Sequence, residues 1–518
     1  MLKQLYTHYL AESIKYLRRI FYLLLCLLCV GTIYSQDGNP LNRTAVLNES
    51  YLEWSVENAD YADNPFDVTA KVHFNHPGSG EILTTEMFYA GNDTWKWRFT
   101  GTKTGQWTFL TSSRDPDLDG IRGEVVIVPD SERRYKGFVT SFAEKWGRTG
   151  TGEVFVPQFV MYSNPAVYYQ NPDKIDQDMA LFFDDHGFNG FHTQVFCRWF
   201  NLEAERYDEI NSGDPNPDFR TFEALEALIT KVYNAGGVVH IWAWGDQSRH
   251  QTPVKWGING AADQRLQRYI AARLGPLPGW TMGYGFDLWE WVDDQDLRIW
   301  HEYMHEHFMI PHYLGARSQK NEINQLFSGM DYSSYEQHRP DYETYVETIE
   351  HLSGKPSFSE DRFRIRKSDR YREKDYTMEM TRRGLYHSTM AGGVANIWGH
   401  LLNSPDGDAS GPYPRPEWIK TYSTFFFEKN RFVKELVRDN SAFNEYCLRT
   451  PDYSRVLIYK ENAISVSYGF RSNPGNNQIV AVDCKRPYEE IKLVLSNPES
   501  GMITLPYRSD WMLAFGKF

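Results

Sequence analysis

Residues 222–246 read FEALEALITKVYNAGGVVHIWAWGD. The first part is amphipathic at helical spacing, with Leu225, Leu228, Ile229 and Val232 on one face. GVVHIWAW follows, an apolar run of strand length that suits a strand covered on both faces, as in a parallel sheet. Recurrence of this unit decides the fold class. From about Gly152 to Val437 the candidate strands are EVFVPQFVMY, FNGFHTQVF, GVVHIWAW, WTMGYGF, HYLGARS, MDYSSY, PSFSE and GVANIWG, eight in all. Amphipathic stretches such as DQDMALFFDDHG, DLRIWHEYMHEHF, YETYVETIEHLSG and MEMTRRGLYHSTMAGG lie between them. Eight alternations predict a (β/α)8 TIM barrel, for which about 250 residues is typical.

A chain of 518 residues exceeds what one hydrophobic core organises, and the flanks have a different rhythm. DVTAKVHF, EILTTEMFYA, DTWKWRF, GQWTFLTSS and GEVVIV are short strand-like runs separated by Gly, Asn, Asp and Pro, which predicts an immunoglobulin-like β-sandwich over 45–133. RVLIYKE, AISVSYGF, NQIVAVDC, EIKLVLS, GMITLPY and WMLAF predict a small C-terminal all-β domain, a second β-sandwich, over 439–518. The barrel is expected over 140–438.

The first 35 residues carry Lys3, Lys15, Arg18 and Arg19, then FYLLLCLLCVGTIYS, the pattern of a signal peptide (1–35), so the expected location is periplasmic or extracellular. The apolar run is short for a membrane span, and no later stretch of the mature chain has the length for one. Cys26 and Cys29 each follow Leu, which argues against a lipid anchor. Formal net charge is −13 and becomes more negative once the basic leader is removed, so nucleic acid is not an expected partner. Cys197, Cys447 and Cys484 remain, too few for a disulfide scaffold, with a Cys447–Cys484 bridge left open. Aromatics make up 15% of the chain, which fits either sugar-stacking platforms or a large barrel's core. Oligomeric state is not legible.

The segment FYAGNDTWKWRFTGTKTGQWTFLTSSRDPDLDG resembles the immunoglobulin-like domain of unknown function 5060, which stands ahead of glycosidase barrels in exported bacterial proteins. NAGGVVHIWAW and SGKPSFSED resemble the clan A glycoside hydrolases, and LPYRSDWMLAF resembles the last hairpin of their C-terminal sandwich. The resemblance implies cleavage of O-glycosidic bonds in a polysaccharide or oligosaccharide, with retention and without a cofactor or metal. It also assigns roles: Glu360, ending strand seven, as nucleophile and Asp287, ending strand four, as acid/base. The clan has Asn-Glu where this chain has Phe286-Asp287, so Glu290 stands as the other candidate for the acid. Tyr332 or Tyr335 on strand six would donate to the nucleophile.

Active sites of such barrels lie at the C-terminal strand ends. Those ends carry Gln194, Arg198 and Trp199; His240, Trp242, Trp244 and Asp246; Arg317; Tyr332 and Tyr335; and Trp398 and His400. Aromatic faces stack on pyranose rings, while Arg and His donate to hydroxyls or anionic groups. Arg362, Arg364, Arg366, Lys367, Arg370 and Arg372 put six cations within eleven residues, which suggests an anionic plant or algal glycan. Asp361 is expected to pair with Arg362 or to cap the next helix.

HEYMH, residues 301–305, has the His-x-x-x-His spacing of zinc metalloproteases. The extended spacing puts Pro311 where a third ligand belongs, Glu322 falls in a polar loop, and Leu297, Trp300, Met304 and Phe308 form the apolar stripe of an ordinary barrel helix. A zinc protease is therefore the weaker alternative, behind a noncatalytic carbohydrate-binding barrel.

Overall fold

The computed structural model describes residues 40–318, 328–336, 340–365, 375–399, 413–440, 446–467, 478–494 and 501–518. His400 and the cations Arg366 to Arg372 lie outside the described residues, as do the side chains of Asp361, Arg362 and Arg364.

All eight predicted barrel strands form. They are β1 (Gln158–Met161), β2 (Gly190–Gln194), β3 (Val238–Trp244), β4 (Trp280–Gly285), β5 (Leu314–Gly315), β6 (Ser333–Tyr335), β7 (Ser357–Ile365) and β8 (Ala395–Gly399). Neighbours pair in parallel in the order β5-β4-β3-β2-β1-β8-β7-β6. The ring is nearly closed by a parallel bridge between Ser318, just past β5, and Tyr335. Every residue of β3 is buried, as its unbroken apolar run requires. Alternation divides the strands: Phe159, Met161, Trp242, Tyr332, Phe358, Ala395 and Ile397 fill the interior, whereas Val160, Val239, Ile241, Trp398 and their like pack against the helices outside.

Helix Phe219–Asn234 shows why amphipathic spacing was sufficient. Asp218 caps it by accepting from Arg220 N–H, and Leu225, Leu228, Ile229 and Val232 are buried. Helix Asp294–His307 opens with a reciprocal capping box between Asp293 and Asp296 and buries Leu297, Trp300 and Met304.

N-terminal to the barrel, two antiparallel sheets face each other. One places Arg122–Val128, Gly105–Ser113, Ala70–His76 and Glu81–Glu86 side by side, and the other joins Leu52–Glu57, Thr94–Phe99 and Phe88–Tyr89. Alternate residues of Arg122–Val128 are buried, and Trp54, stacked on Trp97 at 6.0 Å, meets Phe74 and Phe109 across the layer. Arg98 fastens this layer to the barrel helices, donating to Glu226 at 2.8 Å and to the Arg273 carbonyl at 2.8 Å.

The C-terminal strands form one six-stranded antiparallel sheet. Its two faces differ: Tyr459, Val482, Cys484 and Met512 join the barrel's outer core, while Cys447, Ile458, Trp511 and Leu513 make a separate cluster. Cys447 and Cys484 are both buried free thiols, so the bridge left open by the sequence is not formed. Membership of clusters on opposite faces is the physical reason.

No helix among the described residues is long and apolar enough to cross a membrane.

Candidate active site

Glu360 lies where β7 departs from regular pairing. Ser359 pairs with Asn396 and Arg362 with Ile397, so Glu360 and Asp361 are inserted as a bulge against β8. Bulges re-aim a side chain at the rim of a sheet. The Glu360 carboxylate is fully buried and held from β3, across the barrel, and from the adjacent β6. Trp242 Nε1 donates to Oε1 at 3.1 Å, His240 Nε2 lies 3.0 Å from the same oxygen, and Ser334 Oγ donates to Oε2.

Behind it, His192 Nδ1 and His240 Nδ1 are 2.7 Å apart, and Tyr332 Oη is 3.1 Å from His240 Nε2. The chain is satisfied when His192 donates to His240 and His240 donates to Glu360. Burial first, and the Glu360 charge second, push the Tyr332 phenol well above its ordinary pKa, so it stays a donor. Gly283 on β4 leaves the space this arrangement occupies. A Cβ there would stand 2.7 Å from Glu360 Oε1 and 3.2 Å from the Trp242 ring.

Arg317 joins β5 to both acids. Its Nη1 donates to the Glu360 carbonyl at 3.1 Å, its Nη2 donates to Asp287 Oδ1 at 2.6 Å, and Glu336 Oε2 is 3.7 Å away. The guanidinium also lies over Trp242 and Phe286, 5.8 and 5.6 Å from the ring centres. Asp287 itself has φ +53°, a left-handed conformation that aspartate tolerates. Phe196, past the end of β2, has φ +57°, which is uncommon for a bulky residue, and packs on Phe286 at 5.7 Å. Left-handed backbone thus occurs both past β2 and past β4, and the Phe196 ring packs on the residue preceding Asp287.

Glu290, the last residue of the short helix Leu288–Glu290 that follows Asp287, is exposed. Its pKa is raised, by desolvation first and then by the charge and hydrogen bond of Asp246 and the charge of Asp287. Asp246 is buried and accepts from Ser248 N–H at 2.7 Å, capping the turn Gln247–Arg249.

The structure thus brings Glu360, His240, Trp242, Arg317, Tyr332 and Asp287 together, with Glu290 near Asp246 on the strand-four loop. Four predicted ligands of sugar are placed elsewhere. Trp398 alternates with the inward Ile397, so it points out of the barrel and donates to Gln158 Oε1 at 2.6 Å. Tyr335 alternates with the inward Ser334 and stacks on His351 at 5.2 Å. Trp244 packs against Phe200 in the outer cluster. Arg198 is buried in the turn Phe196–Trp199 and ion-paired with Glu205 at 3.0 Å. Sequence reasoning missed His192, Ser334, Glu336 and Gly283. The alternation with Phe191 could have flagged His192 as inward-facing, but small residues such as Ser334 and Gly283 gave no signal.

Residues 50–114 match the family described as a domain of unknown function, DUF5060. No curated protein matches the chain. The fold is similar to that of a candidate glycoside hydrolase from Bacteroides vulgatus, with TM-score 0.69 at 15% identity over 91% of this chain and 99% of that one. It is also similar to a second structure described as a glycoside hydrolase, with TM-score 0.51 at 11% identity over 74% of this chain and 97% of the other. At these identities the likeness is one of fold.

Proposed function

We propose that the protein is a glycoside hydrolase whose reaction centre is the barrel mouth, with Glu360 as the nucleophile. The observation that carries this reading is the Glu360 carboxylate on its bulge, fixed by Trp242, His240 and Ser334, with Arg317 linking its backbone to Asp287. Glycosidic cleavage needs one carboxylate to attack the anomeric carbon and one acid to protonate the departing oxygen. Fixed donors keep the attacking oxygen aimed, which is the positional part of catalysis.

For the acid the strand-four loop offers Asp287 or Glu290. Asp287 Oδ1 is held by Arg317 Nη2 at 2.6 Å, which ties the carboxylate to the guanidinium and away from a free role at the leaving group. Glu290 sits among like charges that favour its protonated form. The electrostatics therefore support Glu290 as proton donor and Asp287 as the group that orients Arg317. The resemblance alone supported Asp287.

Retention, an anionic plant or algal polysaccharide as substrate, and export through the leader 1–35 belong to the same proposal. The first rests on the clan resemblance and the second on the cations following Glu360. Two neighbours described as glycoside hydrolases share the fold, which supports the general reading.

A noncatalytic carbohydrate-binding barrel is favoured by one observation: Glu360 is wholly enclosed and Asp287 is clamped by an arginine. A panel of plant and algal glycans separates the two. Release of reducing ends by the wild type and its loss in Glu360→Gln supports the enzyme, and binding without turnover in both supports the module. Product anomers followed by NMR read the stereochemistry.

A further inference from the structure

The two histidines of HEYMH do not simply face solvent. His301 Nε2 is 3.3 Å and His305 Nε2 2.8 Å from one oxygen, Oδ2 of Asp331. All three side chains are half-buried, and the three candidate ligand atoms lie within 4.8 Å of one another. Asp331 comes from the segment leading into β6, on the far side of the connection from β5, so no spacing rule could have revealed it. We propose that His301, His305 and Asp331 form a zinc site that stabilises the barrel and takes no part in sugar cleavage.

The chemistry supports zinc. Two imidazoles and one carboxylate are a common zinc donor set, with water completing a tetrahedron. Bonds of about 2.0–2.2 Å place neighbouring ligand atoms of a tetrahedron roughly 3.3–3.5 Å apart. The His301–Asp331 separation already has that value, and the His305–Asp331 pair needs to open by only about half an ångström. Histidines four apart on a helix share a face, so helix Asp294–His307 presents both without distortion. The carboxylate is also fixed from outside the triad, since Leu314 N–H donates to Asp331 Oδ2 at 2.9 Å. Lys355 is the nearby cation that opposes a metal. Its ammonium donates to the carbonyls of Ser328, at 2.8 Å, and Met330, which fixes the loop that carries Asp331.

Location separates this site from the protease reading. Leu314 begins β5 and Asp331 precedes β6, so the triad lies at the N-terminal end of the barrel, opposite the end that holds Glu360. Residues at that end of such barrels serve stability. A metal there would tie the helix after β4 to the entry of β6, across the β5–β6 seam whose opposite end carries the Ser318–Tyr335 bridge among the described residues.

The test uses the full chain, stripped with chelator, dialysed and titrated with zinc chloride, with metal content read by mass spectrometry and unfolding by calorimetry. The expected result is one zinc per chain and a midpoint raised by about 2–3 °C at a hundredfold excess over the dissociation constant. His305→Gln and Asp331→Asn lose both effects. His307→Ala, two residues on, on another face of the same helix and paired with Glu86 instead, keeps the stoichiometry. Zinc content unchanged in folded His305→Gln, or a wild-type midpoint that zinc and chelator leave where it was, would overturn the proposal.

Discussion

At the level of single residues the account rests on Glu360 and on which acid donates the proton. Glu360→Gln is expected to lower turnover by at least about 10³-fold while leaving the far-ultraviolet spectrum and glycan binding intact. Glu290 and Asp287 are separable by leaving group. If Glu290 is the acid, Glu290→Gln slows cleavage of the natural glycan by about 10²-fold or more, yet barely slows an aryl glycoside whose phenolate leaves unprotonated. Its raised pKa gives the sign of the pH profile: activity falls as pH rises through that value, because the working form carries the proton. Asp287→Asn should then act through Arg317, raising KM and lowering kcat alike for both substrates. The reverse pattern would assign the acid to Asp287. Glu360, Arg317 and Tyr332 were legible in the sequence because each ends an apolar run on a strand. Trp398 and Tyr335 were misread because a strand end was counted without its parity, and parity separates the outward Trp398 from the inward Ile397.

Elements set the limits within which those residues work. The bulge in β7 and the glycine in β4 are a matched pair, one turning Glu360 inward and the other leaving room for it. Gly283→Ala places a methyl group 2.7 Å from Oε1. The expected result is a loss of about 10²-fold in kcat with little change in melting temperature, read from kinetics and calorimetry on one preparation. Helix Ala261–Arg273 carries a different liability. Asp263 is buried, and desolvation outweighs its hydrogen bonds from Asn259 N–H and Gln267, pushing its carboxyl up to about 7. The folded chain therefore keeps that proton between about pH 4 and 7 where the unfolded chain has released it. Its stability contribution is complete below pH 4 and is lost as pH rises to about 7. Asp263→Asn should remove up to about 4 kcal/mol of this dependence, measured as the difference between wild-type and variant denaturant melts across the window. The helices and strands were readable from period alone. Neither the bulge nor the burial of Asp263 was, since both depend on which neighbours the fold supplies.

For the whole molecule the question is whether the N-terminal sheets are an attached module or part of one cooperative body. Arg98 is buried while bonded to Glu53, Glu226 and the Arg273 carbonyl, and Arg265 holds Asp67 at 2.7 Å from the barrel side. Without Arg98, Glu226 keeps Arg273 and Glu53 keeps Lys96, so the loss is that of the links across the two layers rather than of a stranded charge. Arg98→Ala should cost about 1–3 kcal/mol, with fluorescence and circular dichroism still following one transition. Independent melting of the N-terminal sheets in the wild type would contradict that coupling. The order of the parts, sheets then barrel then sheet, was legible from changes in rhythm along the chain. The face-by-face role of the C-terminal sheet was not, because one side packs on the barrel and the other on its own cluster.

The most direct test of the barrel mouth as a glycosidase centre is release of reducing ends from a panel of plant and algal glycans by wild type and Glu360→Gln side by side. The account predicts release from at least one glycan by the wild type and none above background by the variant. Equal release by both proteins would contradict it.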